Sequence, residues 1–141
     1  IAFITGQPEK FITYDIKKRP EQDLLIHLKQ NTDVQVITKN VLDLDLEIEE
    51  TDLLFVDTLH TYDQLKQELA KHAIKVRKYL VFHDTTTFGT KGEDGGEGLN
   101  KAIDEFLEQN KEWILFKKYE NNNGAAFTIN FTNRNTRKIE D

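Results

Sequence analysis

The stretch Asp52-Leu53-Leu54-Phe55-Val56-Asp57-Thr58-Leu59-His60-Thr61-Tyr62 decides how the chain is read. Leu53 to Val56 is a continuous apolar run, not an alternating one. That is the pattern of a strand buried on both faces, as in a parallel sheet. The run stops on an acid, Asp57. Thr61 then stands where a helix N-cap belongs, and Tyr62, Leu65, Leu69, Ala73 and Val76 follow at helical spacing.

Outward from this centre the pattern repeats. Tyr79-Leu80-Val81-Phe82 is a second short apolar run, and it ends in His83-Asp84. Five of the seven glycines lie between Gly89 and Gly98, which predicts a mobile segment and suits a substrate lid. The segment does not have the lysine and spacing of a phosphate-binding loop. Leu99, Ala102, Ile103, Phe106 and Leu107 make one face of a helix. Trp113 to Tyr119 and Ala125 to Ile129 read as strands around Asn121-Asn122-Asn123-Gly124, a hairpin signal. On the N-terminal side, Val34 to Ile37 and Phe11 to Ile16 read as strands, with an acidic loop from Asp43 to Asp52. Pro20 opens a helix carrying Leu24, Leu25 and Leu28. Ile1 to Gly6 reads as the last turn of a helix stopped by Gly6 and Pro8.

Strands alternating with helices predict an α/β fold: a mostly parallel sheet with helices on both faces and a C-terminal antiparallel hairpin. One domain is expected over 1–130, with a polar tail over 131–141. A net charge of -6 argues against a nucleic-acid partner. Cysteine is absent, which excludes disulfides and thiolate metal sites and points to a reducing, cytoplasmic setting. No apolar run approaches the roughly 20 residues that span a bilayer.

In parallel sheets ligands bind beyond the carboxyl ends of the strands. Three strands end there in polar groups. Asp15 either accepts the hydroxyls of a ribose or starts the following turn. Asp57, His83 and Asp84 either bind a divalent cation or form a hydrogen-bonded cluster between two loops. His60 is either a general base or a helix-entry histidine packed beside Tyr62. His27 and His72 read as surface or boundary residues. Thr85-Thr86-Thr87 either binds a substrate through its hydroxyls or caps the following turn, with capping the preferred reading.

The run Asp52 to Tyr62 resembles the fourth-strand motif of class I S-adenosylmethionine (SAM)-dependent methyltransferases. The resemblance is to the subgroup called methyltransferase family 24 or cephalosporin-hydroxylase-like. Tyr79 to Thr85 resembles its fifth-strand motif, and Glu120 to Gly124 its last hairpin. The resemblance implies a Rossmann-like fold with SAM as cofactor. It implies that Asp15 holds the ribose, with Asn40 near the adenine at a position where the family often has Asp, and that Asp57 borders the same site. It implies a metal at Asp57, His83 and Asp84, with Mg²⁺ or another divalent ion, although certain relatives carry Glu where His83 stands. His60 becomes the catalytic or substrate-orienting histidine, working beside Asp57. The family's first strand and glycine-rich turn should precede Ile1. Without them, Phe11–Ile16 and Leu53–Val56 are expected to lack a shared neighbour and to leave sheet edges unpaired.

The expected activity is O-methyl transfer to a small-molecule or sugar hydroxyl, with metal assistance, by this chain or by a longer protein of which it is a fragment. The alternatives are a non-catalytic module that has lost the SAM loop, and a hydroxylase-like metal enzyme. The expected partners are the hydroxyl substrate and, as an option, further copies of the chain in a homo-oligomer.

Overall fold

Along the chain the elements are β1 (Lys10–Asp15), β2 (Asp33–Thr38), β3 (Thr51–Val56), α1 (Tyr62–His72), a single 3-10 turn (Ala73–Lys75), β4 (Val76–His83), α2 (Leu99–Gln109), β5 (Trp113–Tyr119) and β6 (Ala125–Asn130). The structure, a computed structural model, describes residues 6–20, 22 and 32–132. The helical turn expected before Gly6, most of the helix opened by Pro20, His27 and the tail beyond 132 lie outside the described residues.

The chain divides into two compact units, residues 1–46 and 47–141. In the first, β1 and β2 pair in parallel, from Lys10 opposite Asp33 to Asp15 opposite Thr38. Parallel neighbours need a crossover of a dozen or more residues, and 16–32 supplies it. The pair is extended at one end by Asp33 N–H to the Glu9 carbonyl (2.9 Å) and at the other by Lys39 N–H to the Asp15 carbonyl (2.8 Å).

In the second unit four strands lie in the order β3-β4-β6-β5. β3 and β4 are parallel, while β6 runs antiparallel to both β4 and β5. Every expected strand is therefore present, and the last two form the expected hairpin. The fold is α/β and Rossmann-like. Among the described residues β3 pairs with β4 alone, so its other edge is open.

Pairing sets the two faces of this sheet. Leu54 lies beside Leu80 and Val56 beside Phe82, which in turn faces Ala126 across the next pair. These residues point to one side, where Leu65 and Leu69 of α1 and Leu99, Ala102 and Ile103 of α2 pack on them. Leu80, Phe82 and Ile103 are almost wholly buried. Each such side chain contributes about 1.5–3 kcal/mol by leaving water. Both helices of the unit share this face. The alternate residues Leu53, Phe55 and Tyr79 point the other way and stay partly exposed.

Two expectations change. Val76, read as the end of a helical stripe, begins β4 instead. The 3-10 turn at Ala73–Lys75 tightens the chain, and Val76 is already extended (φ -100, ψ 124). His72 is buried and not at the surface. It stands three residues after Leu69 and seven after Leu65, so the helical period places it on the stripe that faces the sheet. No described helix is long and apolar enough to cross a membrane.

Candidate active site

Because β3 and β4 run in parallel with Val56 beside Phe82, their carboxyl ends open at the same level. Asp57 leaves β3 there, and His83 and Asp84 leave β4 beside it. Asp84 turns the chain at once with a left-handed backbone (φ 57), a conformation Asp tolerates better than most residues. Its carbonyl then accepts the Phe88 N–H at 2.9 Å.

His60 enters the same space from the start of α1. The hydroxyl of Thr61 caps that helix by accepting the Gln64 N–H at 3.3 Å. Below the connecting loop, Glu68 is buried and accepts hydrogen bonds from Thr58 Oγ1 and Gln64 Nε2, both at 2.6 Å. Burial nevertheless pushes the Glu68 carboxyl above its ordinary value of 4.5, against those two donors.

The resulting cluster alternates nitrogen and oxygen. His60 Nε2 lies 2.8 Å from Asp84 Oδ2 and 3.2 Å from Asp57 Oδ1. His83 Nδ1 lies 3.2 Å from Asp84 Oδ2 and 3.8 Å from Asp57 Oδ1. Donor atoms of Asp57, His60 and Asp84 all fall within 4.8 Å of one another, close enough to share a cation. His83 Nδ1 is buried and has no hydrogen-bond partner of acceptable geometry. A buried polar atom of this kind is costly unless something satisfies it. The side chain of Asp57 is the most exposed of the four and that of Asp84 the least.

The glycine-rich segment behaves differently from the mobile lid expected of it. Its backbone is fastened from end to end: Gly92 N–H to Gly96 O (3.0 Å), Gly98 N–H to Thr90 O (3.1 Å), Leu99 N–H to Phe88 O (2.9 Å) and Tyr62 N–H to Glu97 O (3.2 Å). From it Glu93 reaches His60, a residue that sequence reasoning passed over. Nothing local marks Glu93, because its partner lies 33 residues earlier. The ring of Phe88, at the start of the same segment, stacks on His60 with centroids 4.8 Å apart. The three threonines do not cap the turn with their hydroxyls. Instead the N–H groups of Thr86 and Thr87 donate to the Asn123 carbonyl of the hairpin turn.

The remaining predicted residues lie in the first unit, at the carboxyl ends of its strands. Asp15 ends β1. Its Oδ2 is bonded by Arg19 Nε and its Oδ1 accepts the Lys17 N–H at 3.2 Å. Partial burial would raise its carboxyl, but Arg19 and the turn N–H groups bring it below the ordinary value. Asn40 accepts the Leu42 N–H on its side-chain oxygen at 2.9 Å, which makes it a turn residue just past β2.

No protein-family model and no curated protein matches this sequence. Solved structures do. The chain is similar to the N-methyltransferase NodS from Bradyrhizobium japonicum WM9, with a TM-score of 0.57 at 15% identity over 84% of this chain and 72% of that one. It is similar to the same enzyme in complex with S-adenosyl-L-homocysteine, with a TM-score of 0.56 at 15% identity over 84% of this chain and 65% of that one. At this level of identity the likeness establishes the fold alone, one shared with that N-methyltransferase.

Proposed function

We propose that this chain is a SAM-dependent methyltransferase, or the part of one that carries the acceptor site, acting on a small-molecule or sugar hydroxyl. The observation that carries the reading is the convergence of Asp57, His60, His83 and Asp84 at the carboxyl edge of β3 and β4, within a methyltransferase fold. The motifs Asp52–Tyr62 and Tyr79–Thr85 further suggest the family 24 or cephalosporin-hydroxylase-like subgroup. The lack of cysteine fits a cytoplasmic setting.

SAM, when bound, supplies a methyl group on a sulfonium. Asp15 and Asn40, at the strand ends of the first unit, are the residues proposed to hold it. Asp15 suits a ribose because a carboxylate at a strand end can accept from both ribose hydroxyls. The chain's own task is to orient the acceptor hydroxyl and remove its proton. Asp57, the most accessible of the cluster, is placed to meet the acceptor. His60 receives the proton at Nε2, where Asp84 and Asp57 then serve as hydrogen-bond acceptors.

The same donor set fits a divalent cation. Two carboxylates alone would suit Mg²⁺, but imidazole nitrogens on both sides favour Mn²⁺, Fe²⁺ or Zn²⁺. Such an ion would satisfy the buried His83 Nδ1. A second reading, a non-catalytic module that binds a partner strand, draws on the edge of β3 that is unpaired among the described residues. Calorimetric titration with SAM, with and without Mg²⁺ or Mn²⁺, separates the two. Saturable binding that Asp15→Ala weakens supports the enzyme. No heat from a chain whose circular dichroism shows it folded favours the module.

A further inference from the structure

The glycine-rich segment holds one side chain against the site. Glu93 Oε1 accepts the backbone N–H of His60 at 2.6 Å and lies 3.3 Å from its ring Nδ1. In return the N–H of Glu93 donates to the His60 carbonyl at 3.0 Å. Phe88, from the start of the same segment, lies parallel to the imidazole, within 6°. The ring is therefore covered on one flat side and has a carboxylate oxygen beside one nitrogen. The other nitrogen, Nε2, is left facing Asp57 and Asp84.

We infer that Glu93 is a positioning residue: it holds His60 Nδ1–H so that Nε2 is presented to the Asp57–Asp84 pair, and the glycine-rich segment is a clasp for that histidine. The glycines have a stereochemical part in this. A Cβ at Gly92 would fall 2.9 Å from the Glu97 carbonyl and 3.2 Å from that of His60, so a side chain there would push the clasp off its target. An imidazole that uses one nitrogen on a cation or a reacting proton needs its other N–H anchored, and a carboxylate is the usual anchor. Glu93 supplies it. The inference rests on Asp57, His60 and Asp84 being the working set proposed above.

The test uses the full chain, labelled with ¹⁵N, and two readouts. The first is the His60 Nδ1–H resonance in long-range ¹H–¹⁵N spectra recorded without metal. We expect a solvent-protected signal in the parent. It is lost in Glu93→Ala and moved in Glu93→Gln, whose amide oxygen still accepts the His60 backbone N–H and keeps the segment folded. The second readout is Zn²⁺ affinity, expected to fall about 10- to 100-fold in Glu93→Ala, with Glu93→Gln in between. A Nδ1–H signal unchanged in both variants overturns the inference, even if affinity drops, because Glu93 would then act as a ligand. If the parent binds no Zn²⁺, the metal reading fails, and the ring signal still decides the role of Glu93. If Glu93→Ala does not fold, the ring signal of Glu93→Gln decides: a moved resonance supports the clasp and an unmoved one overturns it.

Discussion

Glu68 shows how one residue sets a pH dependence. Its carboxylate is sealed under the β3–α1 loop, and desolvation raises its pKa above the ordinary 4.5. The folded chain therefore holds this proton more tightly than the unfolded chain does. The stabilisation is complete below 4.5 and is lost as pH rises through the folded value. Glu68→Gln keeps an oxygen for Thr58 and Gln64 but removes the charge. It is expected to stabilise the protein at neutral pH and to flatten that part of the profile. Urea denaturation of both proteins from the ordinary carboxyl range up to neutral pH is the check. Asp57 and Asp84 belong to the same scale. If they are cation ligands, Asp57→Ala or Asp84→Ala weakens divalent-ion binding by more than the roughly 10- to 100-fold that loss of an outer partner costs. Unchanged titration heats in both would leave the cluster a purely structural one.

At the scale of elements, the site depends on how α1 begins and how the last hairpin turns. Thr61 caps α1 one residue after His60. Thr61→Ala should cost about 1 kcal/mol in thermal or urea unfolding, and because it loosens the helix entry it should also weaken whatever binds at His60. The hairpin turn runs through Asn122 and Asn123, both at positive φ, into Gly124 at φ 93. The Asn123 carbonyl is held by Thr86 and Thr87, which follow Asp84. A Cβ at Gly124 would lie 2.2 Å from Thr86 Oγ1 and 2.4 Å from Thr86 N. Gly124→Ala therefore combines a disfavoured backbone with a clash, and a loss of about 1–3 kcal/mol or more is expected. A variant that melts like the parent would show that the hairpin does not brace the Asp84 turn.

At the scale of the molecule, the two units are built unequally. Residues 47–141 have a four-stranded sheet and a core centred on Leu80, Phe82 and Ile103. The strands described in residues 1–46 form a single pair. Two-stranded sheets are marginal by themselves, whereas strands inside a larger packed sheet share its cooperativity. Amide hydrogen exchange should therefore be slowest in β4 and β6 and clearly faster in β1 and β2. Equal protection would mean that both units open only together.

Much of this was legible in the residues alone. Leu53–Val56 and Tyr79–Phe82 announced parallel strands, although the expected burial on both faces does not hold: Leu53, Phe55 and Tyr79 stay exposed on the face away from the helices. Thr61, Asn123 and Gly124 marked a helix start and a turn through local backbone chemistry. The strand ends carried Asp57, His83 and Asp84, so a polar edge could be expected before any distance was known. What sequence could not supply was every relation between residues distant along the chain. That His60 bridges Asp57 and Asp84, that Glu93 reaches back to it, and that the glycine-rich segment is fastened all follow from where α1 and that segment come to lie against the sheet. Local pattern determines element type, because backbone preference and hydrophobic period act over a few residues. Pairing between distant side chains is decided only by packing, because it depends on the free energy of the whole core.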